Sequence, residues 1–289
     1  MIESKPTRPA ASRIGLRLCV LASGSAGNCS VLVAESDNET SFWLIDAGLS
    51  MKRTKRLLAE VGLGERLPRG IILTHLDDDH ANSSVIDGFG NDVPVFLHRR
   101  HLGRAEREGR LFRRTEILEN NLRLGSGCTV HVKLAHHDID GSAALRFSLE
   151  REDGCCDLGY ATDLGRPTAE LIDHLSGVDV LAIESNYCPQ MQEAASRPAM
   201  VKARVTGGSG HLSNQQCVRM VKAIAPQGHV VLLHLSRQCN TPELAAIEHL
   251  GSDYQLIVSS QHEPTQWIEA GVRLARPARI HAETLFELS

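Results

Sequence analysis

The chain has no Cys-x-x-Cys pair, no apolar stretch of membrane-spanning length and no net positive charge, and each absence removes a class of function. Its eight cysteines, at 19, 29, 128, 155, 156, 188, 217 and 239, are scattered, so neither a ribbon of structural zinc nor a dithiol redox motif is visible. Most lie within apolar runs such as RLCVLA and QQCVRMV, the setting of reduced core thiols in a cytosolic protein. No run reaches the roughly 20 apolar residues that a spanning helix needs. The opening MIESKPTRPAASR is polar and lacks the apolar segment of a secretory signal. A soluble, cytoplasmic protein without membrane contact is therefore expected. A formal net charge of −4 rules out nucleic-acid binding by overall charge alone. Low-complexity segments and short-period repeats are also missing.

What is present is enough apolar residue, 42% of 289, to bury a sizeable core. Residues 1–13, rich in Pro, Ser and charge, read as a disordered lead-in, and 14–289 as a single domain. Apolar runs of strand character stand at 16–23, 29–36, 42–48, 70–75, 93–98, 128–137, 143–150, 155–163, 178–186, 229–236 and 254–260. Helical spacing and capping residues mark 51–62, 167–177, 213–225 and 241–251. Early strands follow one another directly and late ones alternate with helices, which predicts sheets with helices packed outside them.

Ionisable residues recur at the C-terminal ends of these runs: Asp46, His75, His136–His137–Asp138, Asp163, Glu184 and His234. Charged groups ending several strands on one rim are the pattern of a site. The densest instance is THLDDDH (74–80), three adjacent carboxylates between two histidines. Such like charges resist burial unless something positive compensates them. A divalent cation takes imidazole and carboxylate donors, three or four per ion, and His75, Asp77, Asp79 and His80 all point inward if the chain turns tightly after the strand. An acidic helix N-cap without metal is the competing reading. Further donors in AHHD (135–138), ATDLG (161–165) and LLHLS (232–236) favour the cation.

Together, LASGSAGNCSVLV (21–33), LIDAG (44–48), HLDDDH, GYATDLG (159–165), IESN (183–186), VKARVTGGSGHLSN (201–214) and LLHLS resemble the metallo-β-lactamase-fold hydrolases, and more narrowly their WalJ/YycJ branch. The resemblance runs over roughly residues 16–262. It implies an α/β fold, an αββα sandwich of two mixed β-sheets with outer helices, and a site for two divalent ions, zinc or manganese, with iron as an option. Carried over by position, His75, Asp77 and His137 would hold one ion and Asp79, His80 and His234 the other. Asp163 would bridge them, and Asp46 would orient a ligand histidine from behind. His136, His131, His98 and His101 read as ordinary surface or strand residues.

The chain departs from the signature HxHxDH at its second histidine, which is Asp77 here. Asp77 either supplies a harder, oxygen-rich donor set that leans towards manganese or iron, or fails to reach the ion; Asp78 is a solvated neighbour in both cases. If Asp77 is a ligand, Asp77→His is expected to retain or improve activity. A second departure is Tyr187-Cys188, where relatives carry His-Asp or Tyr-Asp; Cys188 reads as an inert filler.

The branch implies a phosphodiesterase that acts on DNA as an exonuclease from the 5′ end, with water activated between the ions. Asp79 would take that water's proton, and His211 would donate to a phosphate oxygen or leaving group. A loop histidine ahead of a helix explains His211 equally well. Ser25 and Asn28, in SGSAGN (23–28), would contact a phosphate, although a tight hairpin accounts for the same loop. The stretch 99–114 carries seven arginines against two glutamates, which suits a phosphate backbone or a solvated amphipathic helix. A small-molecule phosphodiesterase and a non-catalytic binding protein of the same fold are the rival readings.

Overall fold

The computed structural model describes residues 15–271 except 37, 38, 113 and 153; the expected lead-in at 1–13 lies outside the described residues. The strands are β1 (Gly15–Ala22), β2 (Cys29–Glu35), β3 (Thr40–Ile45), β4 (Ile71–Leu73), β5 (Val95–His98), β6 (Thr115–Leu118) and β7 (Asn121–Arg123), followed by β8 (Cys128–Ala135), β9 (Ser142–Arg151), β10 (Gly154–Ala161), β11 (Val180–Glu184), β12 (His229–Leu233), β13 (Gln255–Val258) and β14 (Ile268–Glu269). The α-helices are α1 (Met51–Glu60), α2 (Ser83–Gly88), α3 (Leu102–Arg107), α4 (Ala169–Leu175), α5 (Pro189–Ala194), α6 (Ala199–Thr206), α7 (Asn214–Ile224) and α8 (Pro242–Ile247).

These strands form two seven-stranded sheets, ordered β14-β1-β2-β3-β4-β5-β6 and β13-β12-β11-β10-β9-β8-β7. Pairing follows connection length. Strands joined by short turns, β1 to β3 and β7 to β10, run antiparallel. Where a helix intervenes, from β3 to β6 and from β10 to β13, they run parallel, because a parallel return needs a crossover. Both sheets are therefore mixed, as expected.

Alternate residues of each strand supply two different cores. Leu18 and Val20 of β1, Leu145 and Phe147 of β9 and Val180 and Ala182 of β11 meet between the sheets. Cys19 and Leu21 pack outward under Leu57 and Leu58 of α1. Leu181 and Ile183 pack outward under α4 and α7, against Leu171, Cys217 and Val221. Burial on both faces is why these strands read as unbroken apolar runs. Seven of the eight cysteines are buried free thiols and Cys155 is exposed.

The helix ends follow their caps. Ser213 and Gln216 exchange side-chain-to-backbone bonds in a capping box at α7, and Thr168 and Thr241 accept from the first turns of α4 and α8. Among the described residues no helix is long and apolar enough to cross a membrane.

The C-terminal ends of β3, β4, β8, β10, β11 and β12 carry the ionisable residues to a shared rim. There Asn28 binds the THLDDDH loop directly: its N–H and Nδ2 donate to Asp79 O at 2.7 and 3.2 Å. Gly48 sits beneath the same carbonyl, and a Cβ at that position would lie 1.7 Å from Asp79 O. Gly48→Ala is thus expected to destabilise the protein by about 3 kcal/mol, read as a fall in melting temperature. Gly15→Ala, which meets nothing within 4 Å, should leave the melting temperature unchanged.

Candidate metal centre

Six strand ends supply the site, and three of its residues adopt a backbone conformation that side chains disfavour. Asp46, Asp163 and His234 have φ of 62°, 54° and 54°, in the left-handed region uncommon for residues with a Cβ. Such strain persists only where the surroundings fix it, as at functional sites. Here it turns each side chain off its strand and into the rim.

Each histidine of the cluster is anchored through Nδ1 and turns Nε2 inward: that nitrogen is bare on His75 and His137, 3.0 Å from Asn28 Nδ2 on His80 and 3.2 Å from Asp79 Oδ2 on His234. His80 Nδ1 donates to Asp46 Oδ2 at 2.8 Å, and Asp46 Oδ1 accepts from Thr74 N and Oγ1 at 2.8 and 2.9 Å. Thr74 Oγ1 in turn lies 3.0 Å from His75 Nδ1, so one buried carboxylate orients two imidazoles. His137 Nδ1 donates to Gly210 O at 3.0 Å. His234 Nδ1 lies 3.3 Å from Glu184 Oε1, and Asn186 Nδ2 holds the His234 carbonyl at 2.8 Å. A hydrogen bond to the far ring nitrogen sets the tautomer and raises the donor strength of the other.

The inward atoms form four overlapping groups among the described residues: Asp163, Glu184, His211 and His234 make one, Asp77, His137 and Asp138 another, and two more stand side by side. The donor atoms of His75, His137 and Asp163 lie within 4.8 Å of one another, as do those of Asp79, His80 and His234. Asp163 spans both, with Oδ2 at 3.1 Å from His80 Nε2 and Oδ1 at 4.0 Å from His137 Nε2. Asp77 Oδ2 lies 3.8 and 3.7 Å from Nε2 of His75 and His137. Nε2 of His75 and of His137 are buried with no hydrogen-bond partner among the described residues. Each such nitrogen costs about 1–3 kcal/mol, and a cation among these lone pairs and carboxylates would satisfy both. The residues present fit a bound divalent metal.

Protonation shows the same imbalance of acids over cations. Burial works against a charged His137, but Asp77 and Asp163 outweigh it and hold the ring up to about 9. Burial likewise opposes charging of His234, and Asp163, Asp79 and Glu184 lift it to about 10. His80 is raised against its burial by Asp163 and Asp46. His75 goes the other way, lowered by burial and by the neighbouring His80. Asp163 resists ionisation through burial, yet the His234 and His80 charges bring it well below the usual carboxylate range. In the metal-free chain, protons occupy the place of cations.

A family model described as beta-lactamase superfamily domain matches residues 43–235. The chain belongs to this superfamily. Exodeoxyribonuclease YycJ of Bacillus anthracis is 26% identical over 235 residues, covering 80% of this chain and 87% of that protein. Exodeoxyribonuclease WalJ of Streptococcus pneumoniae is 25% identical over 239 residues, covering 81% and 87%. Among solved structures, the metallo-beta-lactamase fold protein YhfI of Bacillus subtilis aligns with a TM-score of 0.63 at 14% identity, over 87% of this chain and 99% of that one. A diphosphatase of the PhnP family aligns at 0.60 and 16% identity, over 89% and 98%. The expected sandwich of two mixed sheets is the superfamily's hydrolase fold, and its His and Asp cluster is able to bind metal.

The structure sorts the sequence-selected residues. His75, Asp77, Asp79, His80, His137, Asp163 and His234 meet in one cluster, with Asp46 behind it. Asp78 points to solvent, its side chain 99% exposed. His211 stands at the edge, 20% exposed, with Nδ1 donating to Glu184 Oε1 at 2.6 Å. Ser25 lines a cavity with Asp79, Asp163 and His234. Asn28 corrects its expected place: at 1% exposure it is buried behind the donors, its amide bracing Gly24 and Asp79 and lying 3.0 Å from His80 Nε2. His101 is also corrected, from surface to core, at 1% exposure with Nε2 donating to Gly141 O at 2.9 Å. His136 is exposed beside Arg166, and Cys188 is buried with Sγ on Gln190 Oε1 at 3.1 Å.

Two partners escaped sequence reading. Glu184 was visible as a strand-end acid, but only the fold shows it binding His211, His234 and the backbone N–H of Leu164 and Leu212. Arg104, inside the arginine-rich stretch, donates to Asp77 Oδ1 at 2.7 Å. The remainder of that stretch is mostly occupied. Arg110 binds the Leu76 and Ala81 carbonyls, and Arg99 and Arg114 pair with Glu119 and Glu116.

Because His137 and His234 titrate near 9 and 10, both carry protons at neutral pH that a cation must displace. Uptake of Mn²⁺ or Zn²⁺ by the metal-free chain at pH 7 is expected to release about two protons or more, measured by calorimetry in buffers of different ionisation enthalpy. Cation affinity should rise as pH climbs towards 9. Uptake at pH 7 with no proton release would contradict this electrostatic picture.

Proposed function

We propose that the chain hydrolyses phosphodiester bonds of DNA, working from a 5′ end, with two divalent cations held in this cluster. His75, Asp77 and His137 would hold one ion, Asp79, His80 and His234 the other, with Asp163 between them. When bound, such a pair supplies Lewis acidity and lowers the pKa of coordinated water to roughly 7.

The chain's own groups complete the chemistry. Burial resists ionisation of Asp79, but its contacts with His234, at 3.2 Å, and His80 lower its pKa. It is ionised at neutral pH and placed to take a proton from attacking water. His211, anchored through Nδ1 on Glu184, turns Nε2 to the leaving oxygen and donates to it as the doubly protonated imidazolium, whose charge the Glu184 carboxylate balances. The Ser25 hydroxyl offers a further donor to a phosphate oxygen.

The observation that carries the nucleic-acid reading is the shape and lining of the cleft. A cavity of about 510 Å³ on the His75 side is lined by Arg104, Arg107 and Arg204 and by Asp77, Glu108, Asp138 and Asp140; Arg104 pairs with Asp77 and Glu108, and Arg204 with Asp138. A second, of about 250 Å³ on the His234 side, is lined by Arg197 and Arg204. Both open to solvent, and Asp77, His137 and Arg204 line both, so they make one trough over the donor cluster. A small closed pocket would suit a small phosphodiester; an open trough suits a strand, whose phosphates Arg107 and Arg197, without ion pairs among the described residues, would meet. The two relatives named exodeoxyribonucleases support DNA and end-directed cleavage.

The test is cleavage of linear DNA labelled at its 5′ or 3′ end by protein loaded with Mn²⁺ or Zn²⁺. Nucleotides should leave from the 5′ end, chelation should stop the reaction, and His80→Ala should abolish it. Affinity for DNA should fall steeply with salt, and Arg107→Ala should reduce the salt slope by about 1. Loaded protein that leaves all DNA and RNA intact would remove the nuclease reading.

A further inference from the structure

The departure from HxHxDH at position 77 has a partner elsewhere in the fold. The Asp77 carboxylate is divided between two tasks. Oδ2 faces Nε2 of His75 and His137 at 3.8 and 3.7 Å, while Oδ1 accepts from Arg104 Nη1 at 2.7 Å. Arg104 is held in turn, its Nε donating to Glu108 Oε1 at 2.8 Å, so the guanidinium is fixed before any substrate arrives. The same segment grips the loop at further points, where Arg110 Nη1 reaches Leu76 O at 2.8 Å and Asp78 Oδ1 at 3.3 Å.

A histidine at position 77 would be a neutral donor. Asp77 alone would add a negative charge to a group that already contains Asp163, and its short side chain could turn to solvent. Asp77 with Arg104 attached is formally neutral, and only one of its oxygens is left to face the two imidazoles. We propose that Arg104 is the positioning residue for the His75–His137 cation position, and that the Asp77–Arg104 pair replaces, in charge and in direction, a single neutral histidine. The proposal rests on the two-cation reading of the cluster. It also reverses the sequence-based expectation for Asp77→His, since a histidine takes away the carboxylate that meets Arg104 Nη1 and leaves the guanidinium, held by Glu108 alone, with more of its charge against the incoming cation.

The experiment starts from metal-free wild type, Asp77→His, Asp77→His/Arg104→Met and Asp77→His/Arg104→Lys. Each is titrated with Mn²⁺ in a calorimeter, its bound metal counted by elemental analysis and its folding checked by thermal unfolding. Wild type should take up two ions. Asp77→His should bind one of them at least about tenfold more weakly, with the other unchanged. Removing the charge in Asp77→His/Arg104→Met should restore the weakened ion to within about threefold of wild type, whereas Asp77→His/Arg104→Lys, which keeps the charge, should not. The proposal is overturned if Asp77→His binds both ions as wild type does, or if Arg104→Met recovers nothing. A wild type that binds no second ion overturns it as well. Two bound ions without DNA cleavage would defeat the nuclease reading alone, because these measurements read binding and not turnover.

Discussion

A buried carboxylate surrounded by imidazoles organises this molecule. Asp163 is almost wholly removed from water, yet it faces His80, His137, His211 and His234 at 3.1 to 4.0 Å. A carboxylate in that position needs positive charge close by, and its neighbours need an acid. Both sheets contribute to it. His75 and His80 follow β4 of the first sheet, and Asp163, His137 and His234 follow strands of the second. The two sheets are thus pressed together by packed hydrocarbon in the middle and by matched charge at the rim.

Local conformation serves the same constraint. Left-handed turns at Asp46, Asp163 and His234 bend side chains into the rim at a cost of order 1 kcal/mol or more each. The lack of a Cβ at Gly48 lets the THLDDDH loop approach until Asp79 O meets the backbone of the LIDAG turn. Behind the loop, Asp46, Thr74, Asn28 and Arg110 fix its atoms from several sides. The acids can crowd because almost every one has a donor waiting: Asp46 has Thr74 and His80, Asp77 has Arg104, and Glu184 has two backbone N–H groups and His211.

How much of this could be read from the chain depends on whether a signal was local. Strands buried on both faces advertise themselves as apolar runs, and Ser213, Thr168 and Thr241 mark helix starts through bonds made within one turn. The donors were legible for a similar reason: an acid or imidazole ending an apolar run needs an explanation without any knowledge of the fold. The six-residue helices α2 and α5 were missed because one and a half turns carry too little periodicity, whereas α3 falls within the stretch 99–114 for which a helix was one of two readings. Helix α6 was missed because no side chain on it is buried, so no apolar face forms. The roles of Arg104, Glu184 and Asn28 were hidden because their partners lie 27 to 51 residues away in the chain. Asn28 looked like a phosphate contact because its loop is polar and glycine-rich; its amide instead closes that loop on itself. The arginine-rich stretch looked like one basic surface, but most of its charges are used to hold neighbouring loops.

The central claim, that these separated donors share a pair of cations, is tested most directly by anomalous diffraction from crystals grown with Mn²⁺ or Zn²⁺. Two peaks about 3.5–4 Å apart are predicted, one beside His75, Asp77 and His137 and the other beside Asp79, His80 and His234, with Asp163 touching both. Crystals with the metal in the solution and no anomalous density within reach of Asp163 would contradict it.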